Sequence, residues 1–370
     1  MGTGKKRLEK YFMASRKSKK GSRSRRKRRR WTLADKILPI LLAIILALYI
    51  FGRIRQEVGI PEVSLSGKPV KAYFTRRDDV SGVIRAFISR AEKSIHFAVF
   101  QIDNMEVARE LVKAHGRGVD VKIVTDDRNM RTPAVKYMLK HGIPMVFDFR
   151  KEFMHDKFAI IDSQIVITGS ANWTDNGFYF NDNNVLIANS KSLALNYEKE
   201  FSEMFDLHRF GPESPRNTFC CFVVDSVKIE NYFAPEDKVS HKLITLIDDA
   251  EKTVHFMSFS FTSKSIAKAL IRAKGRGVEV VGLIERRELA NPHSVYGLLK
   301  KSGIRIVPDG NPKIMHNKVV IIDSSVVITG SYNFTNSADR RNDENVVIVF
   351  DRSLALTYLR YFHWLLNSRG

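Results

Sequence analysis

Two stretches decide the reading: MHDKFAIIDSQIVITGSAN, Met154–Asn172, and MHNKVVIIDSSVVITGSYN, Met315–Asn333. They lie 161 residues apart, align without a gap and agree at 13 of 19 positions. The shared polar residues are His155, Lys157, Asp162, Ser170 and Asn172, matched by His316, Lys318, Asp323, Ser331 and Asn333. His and Lys stand two apart at the start of an apolar run, so a strand would point both to one face. Gly169 sits where the next strand ends and lets the backbone bend tightly. Each stretch therefore gathers an imidazole, an ammonium, a hydroxyl and a carboxamide. Three of these can donate to phosphate oxygens, and the imidazole can act as nucleophile or proton carrier. A lone histidine at a strand end is more often structural. Five residue types at one spacing, twice, argue for a site.

Working outward, the repeat widens. Tyr73-Phe74 returns as Tyr232-Phe233, and Gly116-Arg117-Gly118 as Gly275-Arg276-Gly277, both 159 residues on. Gly142-Ile143 returns as Gly303-Ile304, and Ser192–Leu195 as Ser353–Leu356, both 161 on. The copies are placed at 68–206 and 227–370, with a linker at 207–226 around Gly211-Pro212-Glu213-Ser214-Pro215. Val80, Val83, Ile84, Phe87 and Ile88 have the spacing of a one-sided helix, and Val239, Leu243, Leu246 and Ile247 repeat it. Short apolar strands are expected at Ile95–Phe100 and Val254–Phe259. The alternation of helix and strand predicts α/β architecture: a mixed sheet covered by helices in each copy, the copies forming a pseudo-two-fold pair. The Gly-Arg-Gly turns read as helix C-caps. His96 and His255, each inside an apolar strand, read as packing residues. Trp173, Arg340 and Arg341 flank the motifs and read as surface packing; the alternative is that they stack on bases or hold neighbouring phosphates.

The chain has 370 residues and a formal net charge of +21. Residues 1–36 carry 16 Lys/Arg and 2 Asp/Glu, leaving 45 and 38 for the rest. Most of the positive charge therefore belongs to a tail too polar to fold alone. Residues 37–52, ILPILLAIILALYIFG, are uncharged and mostly apolar. At ~1.5 Å per helical residue they reach ~24 Å, slightly short of a ~30 Å hydrocarbon core, with Trp31, Lys36 and Tyr49 where interfacial anchors would stand. This reads as an uncleaved transmembrane anchor. The excess of Lys/Arg before it predicts a cytoplasmic N-terminus and residues 56–370 on the extracytoplasmic side. The adjacent Cys220 and Cys221 offer neither a disulfide framework nor a zinc pattern.

His-x-Lys-x4-Asp followed by Gly-Ser-x-Asn resembles the signature of the phospholipase D superfamily, here present twice. The variants Gly330-Ser331-Tyr332-Asn333-Phe334-Thr335 and Asn342-Asp343-Glu344-Asn345 look most like its compact bacterial endonuclease branch, which usually has one motif per chain and dimerises. This chain looks like a fused dimer, so its catalytic part is expected to be self-sufficient as a monomer. The resemblance implies two α-β-α sandwich domains with the active site at their interface. It implies phosphodiester cleavage through a phosphohistidine, with no metal and no cofactor. It makes His155, Lys157, Asp162, His316, Lys318 and Asp323 the catalytic set. Ser170, Asn172, Ser331 and Asn333, with the lysines, would hold the phosphate. The family's acidic residue after the motif is Glu344 in the second copy, but Asn183 stands at the matching position of the first. Where they touch the imidazoles, Glu344 favours a charged histidine and Asn183 does not. On that ground His155 is expected to attack and His316 to protonate. The substrate expected first is nucleic acid, single strands favoured. The alternative is a membrane phospholipid, cleaved by a phospholipase D or transferred as by a cardiolipin synthase.

Overall fold

Lys157–Ile161 is a run of five buried residues through the middle of a sheet. A strand buried on both faces needs a layer on each side, and the computed structural model supplies both. It describes Leu65 and residues 67–368, all within one compact unit. The expected tail, 1–36, and anchor, 37–52, lie outside the described residues. Among the described residues no helix is long and apolar enough to cross a membrane.

The first half runs β1 (Val70–Phe74), α1 (Val80–Arg90), β2 (Ser94–Val99), α2 (Met105–Gly116), β3 (Asp120–Asp126), α3 (Pro133–Lys140), β4 (Met145–Asp148), β5 (Lys157–Ile161), β6 (Ile165–Gly169), β7 (Asn184–Asn189) and α4 (Lys191–Phe205). The second half opens with an added strand, β8 (Cys221–Val224). It continues as β9 (Val227–Ala234), α5 (Val239–Asp248), β10 (Thr253–Ser258), α6 (Lys264–Gly275), β11 (Glu279–Ile284), α7 (Tyr296–Lys301), β12 (Arg305–Pro308), β13 (Lys318–Ile322), β14 (Val326–Gly330), α8 (Asn336–Arg340), β15 (Glu344–Phe350) and α9 (Arg352–Asn367).

The seven-stranded sheet has the order β1-β7-β6-β5-β2-β3-β4, and the eight-stranded sheet repeats it as β9-β15-β14-β13-β10-β11-β12 with β8 beyond β9. β2, β3 and β4 are parallel, while β5 runs antiparallel to β2. Each sheet is thus mixed, as expected. β8 uses residues 221–224, which the sequence reading assigned to the linker; they pair with β9 and extend the sheet. Cys220 and Cys221 are joined to each other at its start. A bridge between neighbours closes no loop and staples nothing distant.

Side-chain alternation along β5 divides two cores. Ala159 and Ile161 pack outward with Ile84 of α1, Leu111 of α2 and Met138 of α3. Phe158 and Ile160 pack inward with Tyr197 and Phe201 of α4. That inner core is continuous with Val319 and Ile321 of β13 and with Tyr358 and Phe362 of α9. One apolar core therefore spans both halves and fixes their relative position. The Gly-Arg-Gly turns are structural: Gly118 and Gly277 take φ of 90° and 93°, and Arg117 donates to the Ile88 and Ala91 carbonyls as Arg276 does to those of Ile247 and Ala250.

Candidate active site

The two motif strands come together through backbone pairing between halves. The His155 N–H donates to the Asp343 carbonyl at 3.0 Å, and the His316 N–H to the Asp182 carbonyl at 2.8 Å. Behind these bridges the halves share a buried polar seam. Asn345 accepts from Thr168 (2.5 Å) and donates to Asp156 (2.7 Å); Asn184 accepts from Thr329 (2.7 Å) and donates to Asn317 (3.0 Å). Buried amides with both donors and acceptors satisfied specify one relative placement of the halves.

This pairing crosses the histidine partners. His155 Nδ1 lies 2.7 Å from Glu344 of the other half. His316 Nδ1 lies 3.0 Å from Asn183 Oδ1 and 3.0 Å from the Ser170 carbonyl, also of the other half. The sequence reasoning put the carboxylate's influence on His316; the structure puts it on His155. Each bridge places the residue following Asp343 or Asp182 against the opposite imidazole, which is why the exchange occurs. The imidazoles are 6% and 7% exposed, so each shows the cleft little more than its Nε2 edge.

Lys157 and Lys318 are buried beneath the same cleft. Their Nζ groups donate to the His155 and His316 carbonyls at 2.6 and 2.7 Å. Burial pulls Lys157 down to about 7, opposed by Glu344 and Asp156, and pulls Lys318 well below the usual lysine range, helped by the charge of Lys157. Burial, then the two lysines, pushes both histidines well below their usual value. Glu344 is pushed up to about 8 by burial, against Lys157, the Ser331 hydroxyl and the Asn342 amide. Four like-signed or potentially like-signed groups around one cavity is an arrangement that an anion relieves.

Ser170 and Ser331 sit behind the histidines, not at the cleft surface. Ser331 donates to Glu344 at 2.6 Å and Ser170 to Asn183 at 2.9 Å, so each orients the group that holds an imidazole. Asn172 and Asn333 do line the cleft, and each has a buried Oδ1 without a protein partner. Gly169 and Gly330 permit this packing: φ is 141° and 150°, and a Cβ at either would collide with the Asn184 or Asn345 carbonyl.

Asp162 and Asp323 are corrected. They stand at the far ends of β5 and β13 from the lysines, in turns with φ of 53° and 50°. The Asp162 carboxylate accepts the N–H groups of Glu92, Lys93 and Ser94, and Asp323 those of Glu251, Lys252 and Thr253. Both are turn residues that hold the entry to β2 and β10, and neither reaches the cleft. Trp173 packs, but in the core and not at the surface: it is 2% exposed and sits on Phe97, so it offers no stacking surface.

The sequence pattern gives Phe100 and Phe259 no role beyond ending a strand; the structure brings them to the site. Their rings lie 4.9 and 4.6 Å from the His155 and His316 rings, and 5.1 and 4.8 Å from the lysine Nζ groups. They wall off the lysines and strengthen local electrostatics. An aromatic repeated 159 residues apart was the available signal.

His155, His316, Asn172, Asn333, Phe100 and Phe259 line one cleft of about 820 Å³. A family model described as cardiolipin synthase, PLD-like domain matches the chain twice, at residues 84–205 and 243–366. The chain belongs to the phospholipase D superfamily. It is a phosphodiesterase of that superfamily, with one motif from each half at a shared site. It is 40% identical to a phospholipase D of Rickettsia conorii over 138 residues, 37% of this chain and 68% of that one. It is 33% identical to a mitochondrial cardiolipin hydrolase of Xenopus laevis over 130 residues, 33% of this chain and 62% of that protein. The fold matches that of phosphatidylserine synthase from Haemophilus influenzae with a TM-score of 0.62 at 14% identity, over 86% of this chain and 90% of the other.

Proposed function

We propose that this phospholipase D superfamily member is a nuclease that cleaves single-stranded nucleic acid through a phosphohistidine, with no metal. The observation that supports it most is the crossed pair of imidazoles over two buried lysines. Glu344 accepts from His155 Nδ1–H, which leaves the Nε2 lone pair facing the cleft and stabilises the cation formed when that nitrogen is phosphorylated. His155 Nε2 attacks phosphorus; the P–N bond forms as the P–O bond to the leaving group breaks. His316 Nε2 gives its proton to the departing oxygen. Water then attacks phosphorus, the P–N bond breaks, and the water proton passes to His316. Lys157, Lys318, Asn172 and Asn333 hold the phosphoryl oxygens. Burial and the two lysines keep His316 neutral in the empty site; the negative charge of the bound phosphodiester favours the imidazolium, so Nε2 takes up a proton from solvent as substrate binds and then gives it to the leaving oxygen. The assignment of roles matches the sequence expectation, but its reason is different: the carboxylate serves the nucleophile.

Polar residues dominate the cleft wall, and Arg128, Arg287 and Lys313 line it. A cleft lined mostly by polar residues, with cations along one side, suits a polyanionic strand better than acyl chains. A second reading, cleavage or transfer of a phospholipid headgroup, is favoured by one feature. Phe149 and Phe180 are exposed on the loops that carry Phe153 and Asn181 to the cleft. The names of the Rickettsia and Xenopus relatives point the same way. The anchor reading of residues 37–52 would place the site beside a membrane, on its extracytoplasmic side.

The test uses the full-length protein in detergent, with His155→Asn as blank and excess EDTA. End-labelled single-stranded DNA is expected to be cut by the parent and not by the variant. Intact DNA, with release of headgroup from phosphatidylglycerol or cardiolipin vesicles, would replace the nuclease reading with the lipid one.

A further inference from the structure

The halves differ along the cleft wall. Arg128 and Arg287 occupy matching turns after β3 and β11, and both line the cleft. Arg128 is committed within the protein. Its Nη1 lies 2.7 and 2.8 Å from the two oxygens of the buried Asp126 carboxylate, its Nη2 donates to the Lys151 carbonyl at 3.3 Å, and its guanidinium is 4.6 Å from the centre of the Phe153 ring. Arg287 has only distant partners: Glu285 at 3.6 Å from Nε and the Lys313 carbonyl at 3.5 Å from Nη2. Its side chain is 66% exposed.

The cause lies one residue type away. Asp126 is replaced by the longer Glu285, whose oxygens accept the backbone N–H groups of Met315 at 2.8 Å and Arg287 at 3.3 Å. The carboxylate turns to the chain that carries His316, and the guanidinium is left facing the cleft. Lys313 joins it from the loop before His316, exposed and lining the same cleft. The first half has Glu152 at the position matching Lys313. One side of the scissile site therefore offers two cations with no hydrogen-bonded carboxylate: Arg287, 3.6 Å from Glu285, and Lys313, whose Nζ lies 5.8 Å from the centre of the Phe180 ring. The other offers a neutralised arginine on a phenylalanine.

In-line displacement from His155 places the departing oxygen at His316, on the side of Arg287 and Lys313. We infer that Arg287 and Lys313 form a phosphate subsite on the leaving-group side, which holds the next phosphate of a strand beyond the bond being cut. The inference rests on the nuclease reading. It gives the cleft a direction: a strand binds with one polarity, whereas a site with equal halves would accept both. Charge-assisted bonds from a guanidinium and an ammonium reach a phosphate without reading its base.

The test uses full-length protein and three substrates: dithymidine monophosphate, and the same compound with a terminal phosphate on either nucleoside. The products identify which nucleoside leaves as an alcohol. A terminal phosphate on that nucleoside is expected to raise kcat/KM about tenfold, and the Arg287→Gln/Lys313→Gln double variant to lose most of that gain. A phosphate on the retained nucleoside should give the same ratio in parent and variant. Absence of the leaving-side gain in the parent, its survival in the variant, or an equal loss on all three substrates would each overturn the subsite. If the parent cuts neither these compounds nor longer strands, the nuclease reading itself fails.

Discussion

His155 and His316 lie in pockets made of the same parts: a lysine two residues on, a phenylalanine ring within 5 Å, and an acceptor on Nδ1 from the opposite half. They differ in that acceptor. His155 faces the carboxylate of Glu344, which Ser331 and Asn342 hold in place. His316 faces a neutral amide and a backbone carbonyl. In a symmetric dimer both sites would be alike and either histidine could attack. Here the first half has Asn183 where the second has Glu344, and on the proposed mechanism that difference separates the roles and makes a duplicated site directional.

Four measurements break or sharpen the contrast. His155→Asn should lower turnover by at least ~10⁴-fold and yield no phosphoenzyme. In the parent, acid quenching during turnover followed by peptide mass spectrometry should find phosphate on His155; phosphate on His316 alone would reverse the comparison. Next, Glu344→Gln should cost ~10²–10³-fold in kcat, and Asn183→Ala only about tenfold, since the Ser170 carbonyl still holds His316. Equal losses would show that the two acceptors do the same work.

The third is a pH profile. Glu344 must lose its proton for His155 Nδ1–H to donate to it, so kcat/KM should rise with pH through the value of about 8 set by burial. Lys157 must keep its proton to attract phosphate, so affinity should fall as pH rises above about 7. The product is a bell with its maximum between those values, and Glu344→Gln should remove the acidic limb alone. The smallest effect concerns the far end of the motif. Asp162→Ala and Asp323→Ala should each lower stability by ~1–2 kcal/mol, through unpaired backbone N–H groups, with kcat within about twofold of the parent. Denaturant midpoints and initial rates check this. A large loss of kcat with unchanged stability would return these residues to the chemistry.

Asp162 shows where reading a motif as a unit misleads. Its spacing from His155 repeats in His316 and Asp323 because a five-residue strand separates them in both halves, not because the three groups meet. The signal for a turn was present in Asp162-Ser163 and Asp323-Ser324. Both pairs adopt the positive φ that suits a tight hairpin. The serines mislead in a milder way: they touch Asn183 and Glu344, thirteen positions on in the same half, and these in turn hold the histidines of the opposite half.

The sequence by itself determined the duplicated α/β halves, the mixed sheets and the identity of the His, Lys and Asn groups. These follow from local periodicity and from a repeat with 13 identities in 19 positions. Tertiary structure alone decided which acceptor each imidazole meets. The two contacts join residues 189 and 133 positions apart. They are set by backbone bridges between halves that share one core, and no local pattern encodes which half supplies a partner. Arg128 and Arg287 stand between these cases: the sequence shows Asp126 against Glu285 two residues before them, but only the fold shows Asp126 holding its arginine while Glu285 turns to the Met315 N–H.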